Sequence, residues 1–131
     1  MSRSVKPDKK KAQSIVAGAE RDMAFTLQLP ISEDSAATII RNIYESFRML
    51  GDAMLVARGI KSEDHESQIR ELISTEVKTQ RPVGILRNLK TLRHNINYNG
   101  YLPTRADVDD AVDIARKLFK PLLIAVKKQI Q

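Results

Sequence analysis

Residues 36–59, AATIIRNIYESFRMLGDAMLVARG, carry the clearest indication of the fold. Apolar side chains recur there every three or four residues, which places them in one stripe along an α-helix. Gly59 follows where helices commonly end in a left-handed residue. Gly51 costs about 1 kcal/mol relative to alanine inside a helix, so we expect another helix to pack closely against it. The stripe consists of Ala36, Ile39, Ile40, Ile43, Phe47, Leu50, Met54 and Ala57.

The same spacing predicts four more helices, so the predicted fold class is all-α. Ser32, Ser62 and Thr104 are the expected N-caps of the second, third and fifth helices. Asp107 is placed to complete a capping box with Thr104, and Pro121 predicts a kink or a break in the last helix. Short connections predict an antiparallel up-and-down bundle of about five helices, and no stretch predicts a strand. The predicted helices cover residues 8–29, 32–58, 62–77, 82–98 and 104–130.

Length and charge predict one folded unit behind a basic tail. The chain has 131 residues, of which 42% are hydrophobic, and this is enough to build a core. We expect a flexible basic tail at residues 1–7 and a single helical-bundle domain at residues 8–131. Residues 1–11 hold five basic residues and one acidic residue, so the other 120 residues contribute only +2 to the net charge of +6. A short basic tail is weak evidence for nucleic-acid binding.

Several classes of protein are disfavoured by composition. The chain has no cysteine, which excludes disulfides, thiolate metal sites and a cysteine nucleophile. Its apolar runs are too short to span a membrane, and the basic N-terminus lacks the apolar segment of a secretory signal. We therefore expect a cytoplasmic protein with no membrane association. Paired acids near the predicted caps are explained by the helix dipole, so we expect no metal and no cofactor.

A run without acidic residues, residues 77–106, is the main functional signal. It holds six basic residues, whereas the other helices mix both signs of charge. Residues 92–101 add a histidine, two tyrosines and three asparagines at the end of a helix. A cationic segment of this kind predicts contact with an anion or with RNA, although a solvated basic helix face is the alternative. The predicted nucleic-acid-binding residues are Arg87, Lys90, Arg93, His94, Asn97 and Tyr98.

The order of these signals resembles the HEPN superfamily of small all-helical proteins over about residues 8–130. The long second helix that ends at Gly59 is similar to the family's second helix. His65 resembles a histidine that many relatives carry at the start of helix three. The segment LRHNINY at residues 92–98 resembles the family's Leu-Arg-Asn segment near the end of helix four.

The resemblance implies a candidate catalytic pattern with two possible registers. Ribonuclease members use an arginine and a histidine a few residues later. If Arg93 is that arginine, Tyr98 occupies the histidine position, and Asn97 with Tyr98 is similar to the Asp-Tyr pair of some uncharacterised relatives. In the second register Arg87 pairs with His94, which lies on nearly the same helix face. We favour the first register, which predicts little or no ribonuclease activity because tyrosine is a poor base at neutral pH.

Three functions follow as expectations. The first is a HEPN-type module, a homodimer, that binds RNA or a protein partner with little or no catalysis. The second is a metal-independent ribonuclease, and one form of this expectation is the toxin of a toxin–antitoxin system with a nucleotidyltransferase-type partner. The third is a structural bundle that pairs with another protein through an apolar face. Tyr44 and Phe47 are expected in the core, and His65 is expected to be structural.

Overall fold

The computed structural model describes residues 2–131 and contains five α-helices within that range. The predicted all-α class and the predicted number of helices are confirmed. A single turn of 3-10 helix, Val83–Ile85, leads directly into the fourth helix. The helices are α1 Lys9–Thr26, α2 Ala36–Ala57, α3 His65–Ile73, α4 Leu86–Tyr98 and α5 Arg105–Gln129. None of these helices is long and apolar enough to cross a membrane.

Helix α2 lies at the centre of the molecule and contacts all four other helices. Its predicted apolar stripe is buried except for the partly buried Ala57, and Ile39, Phe47 and Leu50 have no exposed surface. Burying each such side chain contributes about 1.5–3 kcal/mol. Gly51 is accepted for the expected reason, because a Cβ atom there would lie 1.9 Å from the backbone oxygen of Gln68 in α3. Helix α2 therefore fixes where the other helices lie.

Two of the predicted helix starts are wrong, because a nearby residue takes the capping position. Ser35 rather than Ser32 precedes α2, and the two serines exchange backbone-to-side-chain hydrogen bonds of 3.0 and 3.2 Å. Asp64 rather than Ser62 caps α3, with its Oδ1 accepting from the backbone N–H of Ser67 at 2.7 Å. Helix α1 also ends at Thr26, three residues before the predicted end.

Helix α5 agrees better with the prediction. The capping box between Thr104 and Asp107 is confirmed. A break at Pro121 is not observed, because the helix continues through that residue to Gln129.

The prediction that the chain has no strand is wrong. Strands β1 (Ser2–Ser4) and β2 (Ile60–Ser62) pair antiparallel. The backbone N–H of Val5 also donates to the oxygen of Gly59 at 2.7 Å, and Gly59 has the expected positive φ of 77°. Residues 2–5 of the basic tail are therefore joined to the chain that follows α2. Residue 1 lies outside the described residues, and the flexibility of the tail stays a prediction.

Candidate nucleic-acid interface

A groove of about 520 Å³ lies where α2, α3 and α4 meet, and we call it the Arg93 groove. Helix α4 supplies most of its basic and aromatic side chains, because residues three or four apart share one helix face. Helix α2 adds one tyrosine, and the first turn of α3 adds a histidine and a glutamate. The lining residues are Tyr44, His65, Glu66, Lys90, Thr91, Arg93, His94 and Tyr98.

Arg93 is held between two aromatic rings. Its guanidinium carbon lies 5.3 Å from the ring centroid of Tyr44 and 5.9 Å from that of Tyr98. Both distances are within the range of a cation–π interaction. The side chain of Arg93 forms no hydrogen bond and no ion pair with another residue of the described chain. The two rings therefore orient the planar guanidinium group through contacts with its faces, and its N–H groups stay available to donate to a ligand.

The hydroxyl group of Tyr44 is buried without a hydrogen-bond partner among the described residues. The side chain is only 1% exposed, although it lines the Arg93 groove. Burial raises the pKa of Tyr44 to about 12, against the opposing charges of Arg93 and Arg48. The hydroxyl therefore stays protonated across the physiological range. Leaving such a group unsatisfied costs about 1–3 kcal/mol.

His65 is half-buried, with its ring centroid 6.0 Å from that of Tyr44. Burial lowers the pKa of His65, and the positive charges of Arg48 and Arg93 lower it further. Glu45 opposes this shift but is itself bound by Arg48 through two hydrogen bonds of 2.6 and 2.7 Å. His65 is therefore neutral at neutral pH, which leaves one ring nitrogen able to accept a proton.

The outer part of the groove is exposed. His94 and Tyr98 lie one helical turn apart with their ring centroids 4.9 Å from each other, and Tyr98 is 66% exposed. Lys90 forms an ion pair with Glu66, which lowers the pKa of Glu66. The two rings are inclined at 50° to each other and expose apolar surface beside the charge of Arg93, a combination suited to a nucleotide.

Four of the six predicted binding residues line the Arg93 groove, and two do not. Lys90, Arg93, His94 and Tyr98 are brought together. Arg87 is exposed outside the groove. Asn97 also lies outside it, where its side-chain oxygen accepts from Nε of Arg41 at 2.6 Å.

Sequence reasoning placed Tyr44 only in the core and gave His65 only a structural role. Tyr44 is indeed buried, but both residues also line the groove. The resemblance had singled out His65, whereas no local pattern pointed from Tyr44 to Arg93. No group of three or more histidine, aspartate or glutamate side chains within residues 2–131 is arranged to hold a metal ion. Comparisons with protein-family models, curated proteins and solved structures found no match to this chain.

Proposed function

We propose that this chain is a HEPN-type helical module that binds RNA, acts as a homodimer and has little or no catalytic activity. The observation that carries the proposal is Arg93, a guanidinium group oriented by two tyrosine rings and free of any acidic partner in the described chain. An arginine held in this way loses little side-chain entropy when it binds a phosphate. Residues 77–106 contain no acidic residue, and while Arg81, Lys90 and Arg105 pair with acids of α3 and α5, Arg93 does not.

The groove offers a different contact to each part of a nucleotide. Arg93 attracts the phosphate, whereas Lys90 is already paired with Glu66. The exposed rings of Tyr98 and His94 provide a surface on which a base can stack. Stacking does not discriminate strongly between bases, so we expect weak sequence preference.

A ribonuclease is the second candidate, and His65 is the observation that favours it. This neutral histidine shares the groove with Arg93, so a proton acceptor and a cation lie within one chain. In this case the base comes from α3, and neither of the two sequence registers identified it. Incubating the protein with RNA in EDTA separates the candidates, because cleavage abolished by His65→Ala supports the enzyme and intact RNA supports the binding module.

Binding is tested by titrating a labelled single-stranded RNA at fixed salt concentration. Arg93→Ala should weaken binding strongly, because it removes the oriented guanidinium group. The matched control is Arg116→Ala, an exposed cation on α5 that does not line the groove. Equal losses for both variants would show that only net charge matters. Absence of RNA binding by the unmodified protein would favour the structural protein-interaction bundle instead.

A further inference from the structure

A second cationic groove, which we call the strand groove, lies beside β1 and β2 and has a volume of about 370 Å³. Its four basic side chains are all exposed, and none forms an ion pair with a residue of the described chain. Its two acidic side chains already accept hydrogen bonds, one from the N–H of Lys11 at 2.9 Å and one from Gln68 at 3.3 Å. The charged residues are Arg3, Lys6, Lys11, Lys61, Asp8 and Asp52.

The strand pairing places two like charges opposite each other. Arg3 and Lys61 are Cα partners in the antiparallel register, with serine or isoleucine at the flanking pairs. Side chains of directly opposed residues lie on the same face of a sheet, and like charges there repel. An anion bound between Arg3 and Lys61 would remove this repulsion.

The strand groove and the Arg93 groove lie on one face of α2. Tyr44 lines the Arg93 groove and Asp52 lines the strand groove, with Arg48 between them at the same four-residue spacing. Eight residues of helix correspond to about 12 Å along the axis. Helix α3 follows the same seam, since His65 lines the first groove and Gln68 the second.

We propose that the strand groove is a second phosphate-binding site for the same RNA strand, which runs along the α2–α3 seam from the Arg93 groove. This inference rests on the proposed function and extends it. A nucleic-acid strand carries a phosphate about every 3.4 Å in helical form, so about 12 Å corresponds to only a few nucleotides. The backbone bonds of residues 2–5 hold Arg3 near Lys61, which reduces the entropy lost when the basic tail binds.

The test is the salt dependence of binding to a single-stranded RNA long enough to reach both grooves. The double variant Arg3→Ser/Lys61→Ser suits the strands, because serine already occupies positions 2, 4 and 62. Each phosphate contact with a single strand contributes about 0.7 to the slope of log K against log salt. We expect the double variant to reduce the slope by about 1.4 and Arg116→Ser to leave it unchanged. Circular dichroism establishes that both variants are folded.

Each result decides the proposal. A slope equal to that of the unmodified protein, with binding still weakened by Arg93→Ala, overturns the second site and leaves the proposed function intact. If Arg116→Ser changes the slope as much as the double variant does, the second site is also overturned, because the slope then depends on net charge and not on where the charge lies. No RNA binding by the unmodified protein overturns both proposals. Vesicles containing anionic lipid are the second arm of the test, at the same salt concentration. If the double variant binds these vesicles more weakly than the unmodified protein does, while its RNA binding is unchanged, the ligand of the strand groove is a membrane surface and the proposal is overturned.

Discussion

Replacing Tyr44 by phenylalanine should stabilise the protein and leave its binding of RNA nearly unchanged. The side chain is 1% exposed, and its hydroxyl has no partner among the described residues. An unsatisfied buried polar group costs about 1–3 kcal/mol, and phenylalanine removes that group while keeping the ring. The ring contacts with Arg93 and His65 are retained. Allowing for the small void that remains, we expect the free energy of unfolding to rise by about 1 kcal/mol.

The effect on RNA binding should be small. The Tyr44 hydroxyl is buried and out of reach of a ligand in the Arg93 groove, and phenylalanine keeps the ring that lies against Arg93. We expect an affinity within about twofold of that of the unmodified protein, measured by fluorescence anisotropy at one salt concentration, because twofold corresponds to only about 0.4 kcal/mol.

The other two tyrosines provide matched controls in thermal unfolding. Tyr98 is 66% exposed, so Tyr98→Phe should change stability by less than about 0.5 kcal/mol. The hydroxyl of Tyr101 donates to the carboxylate of Asp107, so Tyr101→Phe should lower the melting temperature. For a chain of this size, a change of about 1 kcal/mol in the free energy of unfolding shifts the melting temperature by roughly 3–5 °C. The melting temperature of Tyr44→Phe should rise by that amount. If the melting temperature fell as much in Tyr44→Phe as in Tyr101→Phe, the reasoning would be refuted, because the buried hydroxyl of Tyr44 would then have a hydrogen-bond partner.

Three further predictions concern packing, catalysis and assembly. Gly51→Ala should lower the free energy of unfolding by about 2 kcal/mol or more, because the new Cβ would overlap the backbone of Gln68. Gly84→Ala has open space around it and should leave stability unchanged or raise it by up to about 1 kcal/mol. Chemical denaturation compares the two variants, and a Gly51→Ala variant of unchanged stability would contradict the α2–α3 contact. RNA decay should be negligible in the unmodified protein and should rise in Tyr98→His. Strong cleavage by the unmodified protein that is lost in His94→Ala would instead support the register that pairs His94 with Arg87. Light scattering should give the mass of a homodimer, and a monomer mass at high micromolar concentration would contradict that prediction.

Local features of the fold followed directly from the sequence. The stripe of α2 was predicted because backbone geometry fixes a period of 3.6 residues, and burial then selects apolar side chains at that period. The close approach at Gly51 and the positive φ of Gly59 were expected because glycine has no Cβ. The caps of α2 and α3 were predicted wrongly from the sequence, since several neighbouring serines and aspartates can each accept the same backbone hydrogen bonds.

Features that join distant residues were decided only by the tertiary structure. Strands of three residues carry too little pattern to be recognised, and β1 pairs with β2 because the packing of α1 against α2 brings the two segments together. The sequence by itself determined that Lys90, Arg93, His94 and Tyr98 would share one part of α4, because helical spacing is a local property. Only the packing of α2 and α3 against α4 brought Tyr44 and His65 to Arg93, since the relative positions of helices depend on side-chain packing distributed over the whole core.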